Sequence, residues 1–149
     1  MNLKRWAVAT LGAFVAIAAV DFVIHEVWLG EFYRMHAEWW RSAAEMKARM
    51  GCMFVSHLLL AALLTVVYGK GYEADKGAIG QGLRFGVLMG LLLFLPKTFM
   101  MHFVYPYPVS LLVNWFVGGL IEVTLAPPAL QRLPHRQPPA MSATPPSRS

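Results

Sequence analysis

Four long apolar runs divide the chain and constrain its fold more than any other feature. They cover residues 6–29, 51–69, 79–103 and 108–126. Each run is long enough to cross a hydrocarbon core of about 30 Å as a helix. Helices also satisfy every backbone amide where no water reaches. The pattern predicts an all-α fold, a four-span transmembrane helix bundle over residues 1–126.

The composition agrees with lipid as the solvent of this chain. Hydrophobic residues make up 57% and charged residues 14% of it, whereas a soluble domain carries about 25% charged residues. The net charge of +5 is scattered between the apolar runs, which disfavours nucleic-acid binding and makes the lipid bilayer the expected partner. Cys52 is the single cysteine, so an intramolecular disulfide and a CxxC redox pair are excluded.

The first apolar run has some features of a signal peptide. Lys4 and Arg5 form a basic start, and residues 16–18 resemble a small-residue cleavage site. The run nevertheless continues to Trp28, which is long enough to span a bilayer. We therefore expect an uncleaved first span.

The lysines and arginines predict the orientation of the four spans. One side of the membrane would hold Lys4, Arg5, Lys70, Lys76, Arg84, Arg132 and Arg136. The first loop on the other side mixes basic residues with glutamates, and the short turn at 104–109 carries no charge. Positive residues accumulate in cytoplasmic loops. This distribution predicts a multi-pass protein of a bacterial inner membrane with both termini in the cytoplasm.

The loop between the first two spans has its own periodicity. From Phe32 to Met50, apolar residues recur every three or four positions, and charges of alternating sign occupy the opposite face. This spacing is typical of an amphipathic helix. We expect a short interfacial helix on the outer membrane surface, with a partner-docking helix as the alternative.

The C-terminal segment, residues 127–149, has a different composition. It holds seven of the ten prolines and few large apolar residues, so it cannot form a packed core. A disordered cytoplasmic tail is predicted here.

Strongly polar side chains occur inside all four spans. A rise of about 1.5 Å per residue places them at similar depths, within roughly 11 Å of the outer edge. An unpaired charge there costs several kcal/mol, so such groups should face the bundle interior. The sequence predicts a buried polar cluster in the outer half, with a Lys97–Asp21 ion pair at its centre. Its predicted members are Asp21, His25, His57, Lys97, His102 and Asn114.

Two further features concern the third and fourth spans. The first predicts an ion pair between them, and the second predicts close packing against either a neighbour in the chain or a second protomer. Arg84 and Glu122 lie about 7 Å from the cytoplasmic ends of their spans, which predicts a structural ion pair. Small residues let helices approach closely in lipid. The predicted packing glycines are Gly82, Gly86, Gly90 and Gly118.

The chemistry of the polar cluster leaves several functions open. Intramembrane Asp, His and Lys mark relays and substrate paths, which favours an accessory or transport-related component, including a proton relay, without a cofactor. The alternative is a periplasm-facing site for copper or zinc at His25, His57 and His102, because methionines crowd the same layer and soft ligands suit copper(I). No GxSxG, HExxH or phosphate-binding loop is present, so an enzyme is less expected. A homo-oligomer or a membrane-protein partner also stays open.

An ordered set of short motifs carries a resemblance. It comprises Asp21-x-x-x-His25, Tyr33, Trp40-Arg41, Ala44-Glu45-Met46, Gly71-Tyr72-Glu73, Gly82-Leu83-Arg84-Phe85-Gly86 and Trp115-x-x-Gly118-Gly119-x-x-Glu122. Over residues 15 to 126 the chain resembles a family of small uncharacterised bacterial four-helix integral membrane proteins, a domain of unknown function. The resemblance implies a four-span inner-membrane protein and adds no catalytic residue.

Overall fold

The computed structural model describes residues 3–73 and 75–130, without the side chains of 127–130. This part of the chain is helical and contains no strand. Helix α1 (Leu3–Phe22) continues directly into a π-helical stretch at Val23–Trp28. The remaining helices are α2 (Gly30–Met35), a 3₁₀ turn (Ala37–Trp39), α3 (Ala43–Ala48), α4 (Met50–Gly71), α5 (Ala78–Val104) and α6 (Val109–Leu130).

Four of these helices are long and apolar enough to cross a membrane. They are Leu3–Trp28, α4, α5 and the Val109–Ala126 part of α6. Their ends lie within a few residues of the predicted runs. We call the end of the bundle with α2, α3 and the α5–α6 turn the connector end. The end with the start of α1 and the α4–α5 turn is the terminal end.

The packing of the long helices leaves one side of the bundle open. Helix α1 packs against α4 and α6, and α5 packs mainly against α6. The core in the terminal half is built on small and branched side chains, including Ala13, Ile17, Ala61 and Val123, each fully buried. Within the described ranges, no extended backbone packing joins α4 to α5. A ring contact between Tyr68 and Phe85, with centroids 5.1 Å apart, joins these two helices in the terminal half.

Glycines set the close approach of α5 to α6. Gly82, Gly86 and Gly90 are all buried on α5. A Cβ at position 86 would clash with the Cα of Thr124, and one at position 90 would lie 2.6 Å from Leu120 Cδ1. The predicted glycine ridge therefore faces a neighbour in the same chain. It also fixes the register, with Gly86 level with Thr124 and Gly90 level with Leu120.

The loop between α1 and α4 is not one amphipathic helix, which corrects the sequence prediction. After α2, His36 leaves helical geometry at φ −124°, and Trp40 is extended at φ −118° and ψ 163°. Ser42 then starts α3 with a capping box, in which its hydroxyl accepts from the Glu45 amide and its own amide binds the Glu45 carboxylate. Local side-chain capping thus divides the periodic stretch into short pieces.

The predicted tail boundary at residue 127 also differs from the structure. Helix α6 continues to Leu130, four residues beyond the predicted end of the span. The rest of the predicted tail, residues 131–149, lies outside the described residues.

Replacing Gly86 by alanine should destabilise the α5–α6 pair. The new methyl group would meet backbone of Thr124, which cannot move aside as a side chain can. We expect a loss of about 1–3 kcal/mol, typical of overpacking. Thermal unfolding of the purified protein in detergent measures it.

Gly69→Ala is the matched control, because nothing lies within 4 Å of a Cβ built at that helical position. It should leave stability unchanged or raise it, since alanine has the higher helix propensity. Equal melting temperatures for the Gly86 and Gly69 variants would contradict the close approach.

Candidate functional site

A cleft of about 540 Å³ lies between the four long helices. All four contribute to its wall, and the lack of extended backbone packing between α4 and α5 leaves it open on that side. Its lining residues include Ser56, His57 and Leu60 of α4, Leu93, Phe94, Lys97 and Thr98 of α5, and Trp115, Gly119 and Glu122 of α6. Volumes of 300–1,000 Å³ are usual for ligand sites.

Three potential metal-binding side chains converge on this cleft. One donor atom each from Asp21, His57 and Glu122 lies within 4.8 Å of the other two. The Asp21 Oδ2 to His57 Nε2 distance is 3.6 Å. These residues come from α1, α4 and α6, so three separate helices meet at one point.

The packing of α1 on α6 explains why the two carboxylates meet. A Cβ at Gly118 would lie 2.9 Å from Ile24 Cγ2, which places residues 24 and 118 at the same level. Since the helices run in opposite directions, Asp21 and Glu122 lie about one turn further toward the terminal end on each helix. The glycine therefore fixes the register that joins them.

Two buried polar groups of this cluster have no partner. Glu122 is 8% exposed, and among the described residues no hydrogen bond or ion pair involves its carboxylate. His57 Nδ1 is buried, and no described hydrogen-bond partner reaches it. His57 approaches Asp21 through Nε2, and Glu122 lines the cleft, so both side chains are in position to bind a ligand there.

The π-helical stretch carries the fourth polar side chain of the cluster. At its end the Leu29 amide donates to the carbonyl of Ile24, five residues earlier, at 2.9 Å. His25 lies within the stretch, and its Nε2 is 3.4 Å from Asp21 Oδ1. Single π-helical turns inside α-helices occur frequently at functional sites.

A hydrogen-bonded chain links α6 and α2 to His25, which lies beside Asp21. Trp115 Nε1 donates to Tyr33 Oη at 2.7 Å. The Tyr33 hydroxyl can then donate to His25 Nδ1, also at 2.7 Å. This pattern assigns the proton of a neutral His25 to Nε2, facing Asp21. The chain thus orients Asp21 through groups on α2 and α6.

Tyr33 lies outside the long helices, and its environment favours the neutral phenol. Burial raises the pKa of Tyr33 above its ordinary value, although the hydrogen bond from Trp115 acts in the opposite direction. The hydroxyl therefore keeps its proton at physiological pH and remains able to donate to His25.

The structure places the predicted cluster residues in three different ways. Asp21, His25 and His57 come together. Lys97 lines the cleft, but the predicted Lys97–Asp21 ion pair does not form. His102 and Asn114 do not line the cleft, and His102 is exposed near the end of α5. Of the three predicted metal-ligand histidines, His57 alone belongs to the group of convergent donors.

The axial positions of the helices explain the missing Lys97–Asp21 pair. The α5–α6 register, with Gly90 level with Leu120, continues to Lys97 level with Val113. This level is about 13 Å from that of Glu122 along the axis. The prediction counted residues from the end of each span. Because α6 begins well beyond the level at which α1 ends, residues at equal distances from the ends of their spans lie at different positions along the bundle axis.

The same offset corrects the predicted Arg84–Glu122 ion pair. Arg84 is exposed, and its Nε donates to the carbonyl of Gly80 at 3.3 Å. Its level corresponds to Ala126, about one turn past Glu122. Glu122 instead points into the cleft.

Sequence reasoning missed Glu122, Tyr33 and Trp115 as members of the site. Glu122 is the only acidic residue of the last apolar run, which was a signal for a buried functional group. Tyr33 and Trp115 lie 82 positions apart, and no periodicity connects them.

Comparisons of the chain with models of known protein families, with curated proteins and with solved structures find no match. Its function is therefore inferred from the geometry of the site.

Removing the hydroxyl of Tyr33 should destabilise the contact between α2 and the bundle. Tyr33→Phe leaves Trp115 Nε1 and His25 Nδ1 without their partner. An unsatisfied buried polar group costs about 1–3 kcal/mol. Thermal unfolding in detergent should show a lower melting temperature.

Tyr105→Phe serves as the control, because Tyr105 is an exposed tyrosine in the α5–α6 turn. A surface substitution of this kind changes stability by less than about 0.5 kcal/mol. If both variants melt like the parent protein, the Tyr33 hydroxyl does not stabilise this contact.

Proposed function

We propose that this protein is a small integral membrane protein that binds a divalent metal ion between α1, α4 and α6. The observation that supports it best is the convergence of Asp21, His57 and Glu122 on one point of the cleft. Tetrahedral coordination at about 2.1 Å requires donor separations of about 3.4 Å. Small side-chain rotations would bring donors within 4.8 Å to that spacing.

The chemistry of the donors favours zinc(II) or manganese(II). One imidazole and two carboxylates form a borderline to hard donor set, and copper(I) prefers thiolates and thioethers. None of the three convergent side chains carries sulfur. The proposal therefore keeps the zinc alternative of the sequence analysis and exchanges two of its ligands, with Asp21 and Glu122 in place of His25 and His102.

The charge of the site also favours a divalent cation. Two carboxylates lie close together, and Glu122 is buried inside the bundle. Each ion taken from water into such an interior costs several kcal/mol unless an opposite charge compensates it. A divalent ion would neutralise both carboxylates at once.

His25 would support the ligand set rather than join it. Its Nε2 faces Asp21, and its Nδ1 is occupied by Tyr33. Side chains that contact a metal-binding carboxylate from outside the ligand set orient it, and their loss typically costs 10–100-fold in affinity.

The membrane setting belongs to the same proposal. Four helices of sufficient length and apolarity, together with the distribution of lysine and arginine, support a bacterial inner-membrane protein with cytoplasmic termini. The metal site would then lie inside the bilayer, because Asp21 is nearer the connector end of its span and Glu122 is nearer the terminal end of its own. Such a component would be accessory or transport-related, and its role as a proton relay stays a prediction.

The purified protein should bind zinc(II) at one ion per chain. His57→Ala and Glu122→Gln should each weaken binding at least about tenfold, since every lost ligand removes a coordination bond. Metal content after dialysis and calorimetric titration measure the stoichiometry and the affinity.

His102→Ala is the matched histidine control, because His102 is exposed and distant from the cluster. Circular dichroism and gel filtration verify that every variant keeps its helix content and size. Absence of zinc and manganese binding by the folded parent protein, or equal loss in the His102 variant, would rule out the site.

The orientation can be tested with cysteines on the two ends of the bundle. In a Cys52→Ser background, Ala44→Cys lies on exposed α3, and Asp75→Cys lies in the exposed α4–α5 turn. A membrane-impermeant maleimide should label position 44 in intact spheroplasts and position 75 only after permeabilisation. The reverse labelling pattern would place the termini outside.

A further inference from the structure

Lys97 is a second unusual charge in the cleft. It lies seven residues before the end of helix α5, and its Nζ is 5.9 Å from the ring centroid of Phe94. Over residues 3–73 and 75–130, no ion pair or hydrogen bond to Lys97 is found. An unpaired lysine inside a membrane is costly, and this one is an exposed residue on the wall of the cleft.

The position of Lys97 relative to the metal ligands leaves a gap between them. Its Cα level lies about 13 Å from that of Glu122 along the bundle axis. Side chains on a helix lean toward its N-terminus, which for α5 is the terminal end. The side chain of Lys97 therefore extends toward the metal ligands but is too short to reach them.

The cleft is also far larger than one metal ion requires. Its volume is about 540 Å³, whereas a water molecule occupies about 30 Å³. A divalent ion with three protein ligands keeps at least one coordination position for another molecule. The space between that position and Lys97 is lined by Ser56, Thr98 and the apolar side chains of Leu60, Leu93 and Phe94.

The charges decide which ligand fits this space. In the metal-loaded site, the two carboxylates balance the divalent ion, and the ammonium of Lys97 remains as an unbalanced positive charge. Oxyanions bind both divalent ions and lysine ammonium groups. The apolar part of the lining and the opening between α4 and α5 fit an apolar tail that extends into the bilayer.

From these observations we infer that the cleft binds an oxyanionic amphiphile, with its phosphate or carboxylate group between the metal ion and Lys97. This inference rests on the proposed metal site and names the second ligand of that site. The inferred source of the oxyanion is a lipid headgroup, and a free phosphate, which offers the same chemistry, is the other outcome of the test.

Calorimetric titration of the zinc-loaded protein in detergent tests the inference. The probes are inorganic phosphate, a short-chain phosphatidate and, as a neutral-headgroup control, a short-chain phosphatidylcholine. Phosphatidate should bind, and Lys97→Met should weaken it about tenfold or more, as expected for a lost charge-assisted hydrogen bond. Lys97→Arg should restore most of the affinity, and Lys70→Met, an exposed lysine at the terminal end, should leave it unchanged.

The outcomes separate this inference from the metal proposal. Binding of inorganic phosphate with the same Lys97 dependence, and no gain from the acyl chains, identifies a free oxyanion and removes the amphiphile from the inference. Zinc binding without any oxyanion binding, or oxyanion binding that Lys97→Met does not change, overturns the inference and leaves the metal site intact. Failure to bind zinc overturns both.

Discussion

Two carboxylates in an apolar bundle form the constraint on which the rest of this site depends. Asp21 and Glu122 approach each other beside His57, although each would be far better solvated in water. Such an arrangement persists only when nearby groups and ligands compensate it. The histidine–tyrosine–tryptophan chain on one side of Asp21 and the open cleft on the other side both follow from this need. A cation in the cleft would complete the compensation.

Glycines, which have no side chain, determine where these carboxylates lie. Gly86 and Gly90 bring α6 against α5, and Gly118 brings it against Ile24 of the π-helical stretch. Without a hydrophobic driving force between helices in lipid, such close contacts carry the association. They also set the height of Glu122 relative to Asp21 and Lys97. The glycine contacts of α6 therefore determine both its packing and the position of Glu122 in the site.

Much of the architecture could be predicted from the sequence, because the length of a helix depends only on the order of residues along the chain. Hydrocarbon thickness sets the length of an apolar run, so the four long helices and most of their ends were predictable. The Asp21–His25 pair followed from the helical repeat. The axial shift between helices could not be predicted, because it depends on which side chain packs against each glycine. That shift separated Lys97 from Asp21, moved Glu122 away from Arg84 and left His102 and Asn114 outside the cleft. The role of Tyr33 was equally hidden, since it lies on a short helix in an irregular connector.

Gly119 determines how wide the cleft is. A methyl group on its Cα would collide with the ring of Phe94, and both residues line the cavity. The ring lies this close to α6 only because position 119 has no side chain, and a methyl group there would displace it. The absence of a side chain at position 119 therefore helps to set the width of the cleft. A homologous chain with alanine or serine at 119 would keep Asp21, His57 and Glu122, but the displaced ring of Phe94 would change the space beside them.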